Sequence, residues 1–196
     1  MLYLLNRMLR KLGYIIFIVL TYASCCAPTK TYDSFTPEQE KLLHYLYGQS
    51  MVYDLNTGDS VSLNVTEQYI GNLPPEEGVA VECDSYYPAY GKAKITSHKD
   101  SSLIFIISIK KSLDEDGIST RIRFMNFDFN LDDSTSVIYH DSLYLRSPNT
   151  FNNVYEISVQ DTTNTRADLI HKLYFSTEYG VIRFDRKDGR TYRLRI

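Results

Sequence analysis

The oxygen-bearing side chains with the most regular spacing belong to Asp128, Asn130 and Asp132, which occupy alternate positions. This is the spacing of the first three ligands of an EF-hand calcium loop. The later positions do not fit, because Asp133 stands where the turn needs glycine and Tyr139 where the bidentate glutamate belongs. The pattern therefore favours an acidic strand end with its loop, and the sequence predicts no metal ion or other cofactor.

No other pattern in the chain matches a catalytic motif. The histidines are scattered, at His44, His98, His140 and His171. None belongs to a His-x-His or Glu-x-x-His pair, and Cys83 is a lone thiol that is more simply explained as a small buried hydrophobe. Nucleophile elbow, P-loop and dinucleotide motifs are absent. We expect a non-enzymatic protein; the alternative is a hydrolase that uses carboxylates of the Asp114–Asp116 or Asp128–Asp133 loops.

Tyrosine is the unusual residue type, with 17 copies and no tryptophan. Its densest cluster is Tyr86, Tyr87 and Tyr90, which we interpret as a loop. Tyrosine is enriched at interfaces, so this loop is a candidate surface for a glycan or a partner protein. The alternative is a loop that caps one end of the core, since tyrosine also suits half-buried sheet faces.

A second candidate surface is basic and lies near the C-terminus. At strand spacing, Arg183, Arg193 and Arg195 share the face opposite Phe184 and Tyr192. Such a strip would suit anionic headgroups or an acidic partner. The alternative is a solvated final strand, on which arginine discourages edge-to-edge aggregation.

The overall charge argues against one class of partner. Lys and Arg number 21 and Asp and Glu 24, a net charge of −3. Residues 1–24 hold three of the bases and no acid, which leaves 18 bases against 24 acids beyond them, a net charge of −6. A chain of this charge is not a general nucleic-acid binder, since such binders depend on releasing counterions from phosphates.

Residues 1–24 read as a secretory signal. Arg7, Arg10 and Lys11 precede an apolar run of about a dozen residues, and the small residues Ala23 and Ser24 follow it. The alternative is a membrane-spanning anchor, for which the run is short, since a bilayer needs about 20 apolar residues. Translation could start at Met1 or at Met8.

Tyr22-Ala-Ser-Cys25 resembles a bacterial lipobox, in which the cysteine is lipidated and becomes the first residue after cleavage. The resemblance implies lipid attachment at Cys25, with residues 25–35 as a tether. The alternative is a secreted protein with a Cys25–Cys26 or Cys25–Cys83 disulfide. The acidic cluster that often follows the cysteine in surface-exposed Bacteroidetes lipoproteins is missing, so we expect the outer membrane, facing the periplasm.

Residues 36–196 are predicted to form a single, mainly β domain: an antiparallel meander that makes a curved sheet, barrel or sandwich, with one short N-terminal helix. The helix begins with the capping box Thr36-Pro-Glu-Gln39 and is expected to end at Gly48. Such a fold readily makes a cavity or open sheet face for a protein, glycan or apolar ligand.

Three turns can be tested by the register that they impose. Three-residue loops at Asn56–Gly58 and Lys187–Gly189 would place Tyr53 opposite Val61 and Phe184 opposite Tyr192. At Asp116-Gly117 the apolar alternation requires an even loop. A two-residue turn there would place Ile109 opposite Phe124 and require a β-bulge near Met125–Phe127.

Two segments, 48–66 and 173–194, resemble segments that recur in uncharacterised lipoproteins of Bacteroidetes. The likeness covers about a third of the chain. It implies a bacterial source and a place in the cell envelope. Those proteins have no agreed activity, so it implies no functional residues.

Overall fold

Strands make up most of the computed structural model. It describes residues 30–40, 42–43, 45–73, 79–81, 84–112, 117–125, 127–132, 136–144, 150–159 and 166–196. The described residues fall into two units. The smaller comprises residues up to Tyr32 together with Pro74–Tyr87, and the larger comprises Asp33–Leu73 and Pro88–Ile196.

The smaller unit contains one sheet of three short strands, β1 (Lys30–Tyr32), β4 (Val79–Val81) and β5 (Asp84–Tyr87). Strand β5 lies in the middle, parallel to β1 and antiparallel to β4. The rings of Tyr32 and Tyr87 stack with their centroids 4.9 Å apart.

The larger unit holds the helix α1 and an antiparallel sheet of 11 strands. The helix is Pro37–Glu40 and the strands are β2 (Ser50–Leu55), β3 (Ser60–Asn72), β6 (Ala89–Ser97), β7 (Ile104–Lys111), β8 (Ile118–Phe124), β9 (Phe127–Asn130), β10 (Val137–Tyr144), β11 (Thr150–Ser158), β12 (Ile170–Ser176), β13 (Gly180–Arg186) and β14 (Thr191–Leu194). Their order in the sheet is β10-β11-β12-β13-β14-β2-β3-β6-β7-β8-β9. The predicted mainly β, antiparallel fold with one short helix is therefore confirmed.

The 11-stranded sheet curls into a half-barrel and buries its concave face. Phe105 on β7 and Phe184 on β13 lie far apart in the strand order, yet their ring centroids are 5.2 Å apart. Both side chains are fully buried in one continuous apolar core. The sheet therefore supplies both sides of its own core. On β11–β13 a second buried cluster, Phe151, Val154, Tyr174 and Ile182, lies apart from this core.

Two of the predicted hairpins are confirmed. Tyr53 lies opposite Val61 across the loop that ends at Gly58, and Phe184 lies opposite Tyr192 across the loop that ends at Gly189. Gly58 has φ +97 and Gly189 has φ +85, the left-handed conformation that a three-residue hairpin loop needs at this position.

The register predicted for the third hairpin, between β7 and β8, is wrong by four residues. Phe105, not Ile109, lies opposite Phe124, and Ile109 lies opposite Thr120. The connection is even, as expected, but longer than two residues, since Ser112 N–H donates to Gly117 O. The predicted bulge at Met125–Phe127 is a turn instead: Phe124 pairs with Phe127, and Met125 has φ +54.

The helix begins as predicted but is shorter. The capping box is present, because Thr36 N–H donates to Gln39 Oε1 at 2.9 Å and Gln39 N–H to Thr36 Oγ1 at 3.3 Å. The helix ends at Glu40 instead of continuing towards Gly48. Beyond it the chain turns so that Leu43 and Tyr45 enter the core, which a straight helix would not allow.

Within the described residues, no helix is long and apolar enough to cross a membrane. The predicted signal, residues 1–24, and Cys25 and Cys83 lie outside these residues. The predicted domain bounds, 36–196, stay a prediction.

Candidate functional site: a cationic sheet face

Strand β6 shows which residues share the outer face. Its odd-numbered residues, from Ala89 to Ser97, are buried, and its even-numbered residues are half-exposed. Residues directly opposite one another in antiparallel strands point to the same side. The partners of Tyr90, Lys92 and Lys94 on β3, β7, β8 and β9 therefore belong to the outer face too.

Five basic residues meet on this part of the outer face, which we call the cationic face: Lys92, Lys94, Lys110, Arg121 and Arg123. They come from β6, β7 and β8, which are neighbours in the sheet. Two carboxylates lie on the same face, Glu67 on β3 and Asp128 on β9. The cationic face therefore carries a local charge of about +3 on a body whose net charge is negative.

Three of the cations surround one hydroxyl group. Lys92 on β6 and Arg121 on β8 each lie directly opposite Ser108 on β7. Lys110 lies two residues beyond Ser108, diagonal to both, which places its Cα atom about 7–8 Å from theirs. We call Lys92, Lys110 and Arg121 the cation triangle.

The ion pairs of the cationic face lie at its margins. Glu67 accepts from Lys94 at 2.7 Å and lies 3.8 Å from Lys92, and Asp128 pairs with Arg123 at 2.7 Å. The Lys94 hydrogen bond lowers the pKa of Glu67, so this carboxylate stays ionised. Among the described residues, no carboxylate lies within ion-pair distance of Lys110 or Arg121.

Two tyrosines border the cation triangle on the β3 side. Tyr69 lies opposite Lys92, and Tyr90 lies opposite Lys110. Their ring centroids are 6.2 Å apart. The Tyr69 hydroxyl donates to Asn72 O at 2.6 Å, which fixes a ring that is 48% exposed.

On the β9 side, the cation triangle is bordered by the side-chain amide of Asn130. Asn130 lies opposite Arg121, and its Oδ1 accepts from Ser119 Oγ at 3.3 Å. The cationic face thus combines cations, hydroxyls, one amide and two aromatic rings, the groups that hold an anionic, polar ligand.

The predicted arginine strip is present, but its charges are largely neutralised. Arg183 lies opposite Arg193, as expected. Arg183 donates to both oxygens of Asp185, at 2.9 and 2.7 Å, and Arg195 pairs with Asp54. The Arg183 guanidinium also packs 5.0 Å from the centroid of Tyr174. The use of this strip by a partner stays a prediction.

The structure does not gather the predicted tyrosine cluster in a loop. Tyr86 and Tyr87 lie on β5 of the smaller unit, where Tyr87 is buried. Tyr90 lies on β6 of the larger unit, on the cationic face. Of the three tyrosines, Tyr90 is therefore the one that joins the candidate site.

Of the side chains considered for calcium or hydrolysis, Asp128 and Asn130 make other contacts. Asp128 pairs with Arg123, and Asn130 Oδ1 accepts from the backbone N–H of Asp132 at 3.2 Å. The Asp114–Asp116 loop and Asp133 lie outside the described residues. Within the described part of the chain, no group of three or more His, Cys, Asp or Glu side chains is placed to hold a metal ion.

The cation triangle was not predicted from the sequence, although the sequence contains a pattern that indicates a basic strand face. Lys92-Ala-Lys94 and Arg121-Ile-Arg123 both alternate a base with an apolar residue, the period of a strand with a basic outer face. What joins them is the register of β7 and β8. The register expected from the sequence placed Arg123, not Ser119, opposite Lys110.

Comparison of the chain with protein-family models, curated protein sequences and solved structures gave no match.

Proposed function

We propose that this chain is a non-enzymatic binding protein, lipid-anchored in the cell envelope, that holds an anionic partner on its cationic face. The observation that carries the proposal is the cation triangle. Three cationic residues occupy the register positions next to Ser108, and the carboxylates of the face, Glu67 and Asp128, lie at its margins.

Clustered cations repel one another when nothing neutralises them. Two unit charges about 7–8 Å apart cost about 0.5 kcal/mol even at the dielectric constant of water. Sheets commonly avoid this cost by placing opposite charges across from one another, as Lys94 and Glu67 do here. In the cation triangle only Lys92 lies within 4 Å of a described carboxylate, so the charges of Lys110 and Arg121 are better explained by a ligand that supplies the negative charge.

The anchor is supported by the resemblance of Tyr22–Cys25 to a lipobox and by the short tether that follows. Metabolic labelling with a palmitate analogue tests it. We expect label on the wild type and on Cys26→Ala, and none on Cys25→Ala. Label retained by Cys25→Ala would overturn the anchor.

Native mass spectrometry tests the binding function on the full chain, purified from envelopes in mild detergent. We expect an anionic molecule bound to the wild type and lost from Lys110→Glu/Arg121→Glu. The matched control is Lys30→Glu/Lys99→Glu, which changes the charge equally at exposed positions outside the cationic face. Equal loss from both variants, or no bound molecule at all, would contradict the proposal.

A further inference from the structure

We infer that the partner of the cationic face is a linear acidic polysaccharide, a chain of sugars that carry carboxylate groups. This deepens the proposed function and rests on it. The inference follows from the spacing of the charges, the groups between them, and what the cationic face lacks.

The cations form a repeating array. Lys92 and Lys94 on β6, and Arg121 and Arg123 on β8, are each two residues apart, about 7 Å along the strand. The two strands lie about 10 Å apart, with β7 between them. Lys94 and Arg123 also hold the carboxylates of Glu67 and Asp128, so the ligand would contact mainly the three residues of the cation triangle. Three cations on three neighbouring strands match a ligand with several charges better than a small molecule with one charge.

Neutral polar groups fill the space between the cations. Ser108 lies between Lys92 and Arg121, and Ser119 lies opposite Lys110. Hydroxyls both donate and accept, so they suit a ligand whose charged groups are separated by hydroxyls of its own. Arginine pairs bidentately with carboxylates, which gives Arg121 a direct role.

The tyrosines offer an aromatic contact that binding of a simple anion would not require. The fixed ring of Tyr69 lies beside Lys92, and Tyr90 lies beside Lys110. Aromatic side chains offer an apolar face together with a polar tip. A sugar ring presents C–H groups on one face and hydroxyls around its edge, so it complements such a side chain.

A protein partner fits this face less well. The centres of interfaces between proteins are depleted in lysine, aspartate and glutamate and hold aromatic, aliphatic or arginine anchors. Here the centre holds Lys92, Lys110 and Arg121, while the exposed apolar side chains Tyr69 and Ile104 lie towards its edges.

A bilayer and a nucleic acid also fit less well. The cationic face is the outer side of a curled sheet, so a flat layer of headgroups would contact it along a narrow ridge. Proteins that bind single strands stack bases on aromatic rings along the backbone groove. Here the two rings, Tyr69 and Tyr90, lie together on the β3 side of the cation triangle, and the residues described on the outer face of β8 and β9 include no aromatic residue.

Binding of the lipidated full chain in non-ionic detergent to polygalacturonate tests the inference, with dextran as the neutral control. We expect measurable affinity for polygalacturonate and none for dextran. Lys110→Glu/Arg121→Glu should weaken binding at least tenfold, and Lys30→Glu/Lys99→Glu less than twofold. Lys110→Arg/Arg121→Lys keeps both charges and one guanidinium on the cationic face, so it should retain most of the binding that Lys110→Glu/Arg121→Glu loses.

Tyr69→Ser distinguishes recognition of the sugar rings from attraction of any anionic polymer. It should weaken binding to polygalacturonate several-fold and leave binding to poly-glutamate unchanged. Equal or tighter binding to poly-glutamate, anionic vesicles or single-stranded DNA would overturn the polysaccharide. If that binding were still lost in Lys110→Glu/Arg121→Glu, the proposed function would stand and this inference alone would fail.

Discussion

Gly180, the first residue of β13, lies where both the backbone conformation and the neighbouring Tyr45 require glycine. Its φ of +76 disfavours any side chain, and an added Cβ would collide with the hydroxyl of Tyr45. We expect Gly180→Ala to lower the free energy of unfolding by about 1–2 kcal/mol for the backbone and by about 1–3 kcal/mol more for the overpacking.

Gly189→Ala is the matched control for this change, measured in the same urea titration. Gly189 has a similar φ of +85, but an added Cβ would meet nothing within 4 Å. It should therefore cost the backbone term alone, about 1–2 kcal/mol. Equal losses for the two variants would show that Tyr45 does not restrict the space at Gly180.

Tyr45 makes its own contribution to the same corner. Val181 N–H donates to the Tyr45 hydroxyl at 2.6 Å, and Val181 O accepts from Tyr53 at 2.7 Å. Tyr45→Phe would leave the Val181 N–H buried without this acceptor, at a cost of about 1–3 kcal/mol. Tyr47→Phe, at a side chain that is 74% exposed, should leave the urea midpoint almost unchanged.

Among the elements, the hairpins show what sequence patterns can and cannot predict. At Gly58 and Gly189 a glycine marks the left-handed position, which sets the loop length and with it the register. Between β7 and β8, the apolar alternation alone leaves the register open. A slip of four residues keeps every side chain on its own face, so alternation predicts the faces of β7 and β8 but not their partners.

For the helix and the cationic face too, sequence patterns predict local features but not contacts between distant residues. The capping box at Thr36 is local and was predictable. Beyond α1, Tyr45 accepts a hydrogen bond from Val181, a contact between residues far apart in the chain that no local pattern predicts. The lysines and arginines of the cationic face alternate visibly in the sequence. Their convergence on Ser108 needs the correct pairing of three strands.

Arg186 links two elements that are distant in the sheet. It lies on β13 with its side chain 2% exposed, and it donates to Asp100, in the loop between β6 and β7, at 2.7 Å. Asp100→Asn would leave the buried guanidinium without its counter-charge, at a cost of about 3 kcal/mol. Arg186→Met/Asp100→Asn should unfold at higher urea than Asp100→Asn, because the uncompensated charge is gone.

The pair also makes stability depend on acid. Burial opposes ionisation of Asp100, but hydrogen bonds from Ser102 and Arg186 outweigh it and lower its pKa below the ordinary 3.8. A lowered folded pKa contributes stability above the unfolded value that is lost as pH falls through the folded one. Between about pH 5 and pH 3, the difference in unfolding free energy between wild type and Asp100→Asn should therefore shrink. If this difference in unfolding free energy did not change with pH, ionisation of Asp100 would not account for the acid dependence of stability.

At the scale of the whole molecule, the uneven charge leads to a prediction that needs no ligand. Beyond residue 24 the chain has 18 bases and 24 acids, so its average charge should keep it off a cation exchanger. The cationic face concentrates five of those bases on three neighbouring strands. Because a field decays within a Debye length, about 30 Å at 0.01 M salt, the resin senses the nearest face more than the average.

We therefore expect the lipidated chain in non-ionic detergent to bind a sulfonate resin at pH 7 in low salt. It should elute above about 0.15 M salt, where the Debye length, about 8 Å, becomes similar to the spacing of the cations. Lys110→Glu/Arg121→Glu should flow through, whereas Lys30→Glu/Lys99→Glu, with the same net charge, should still be retained. Identical elution of the two variants would mean that net charge alone governs adsorption, since only the position of the lost bases distinguishes them.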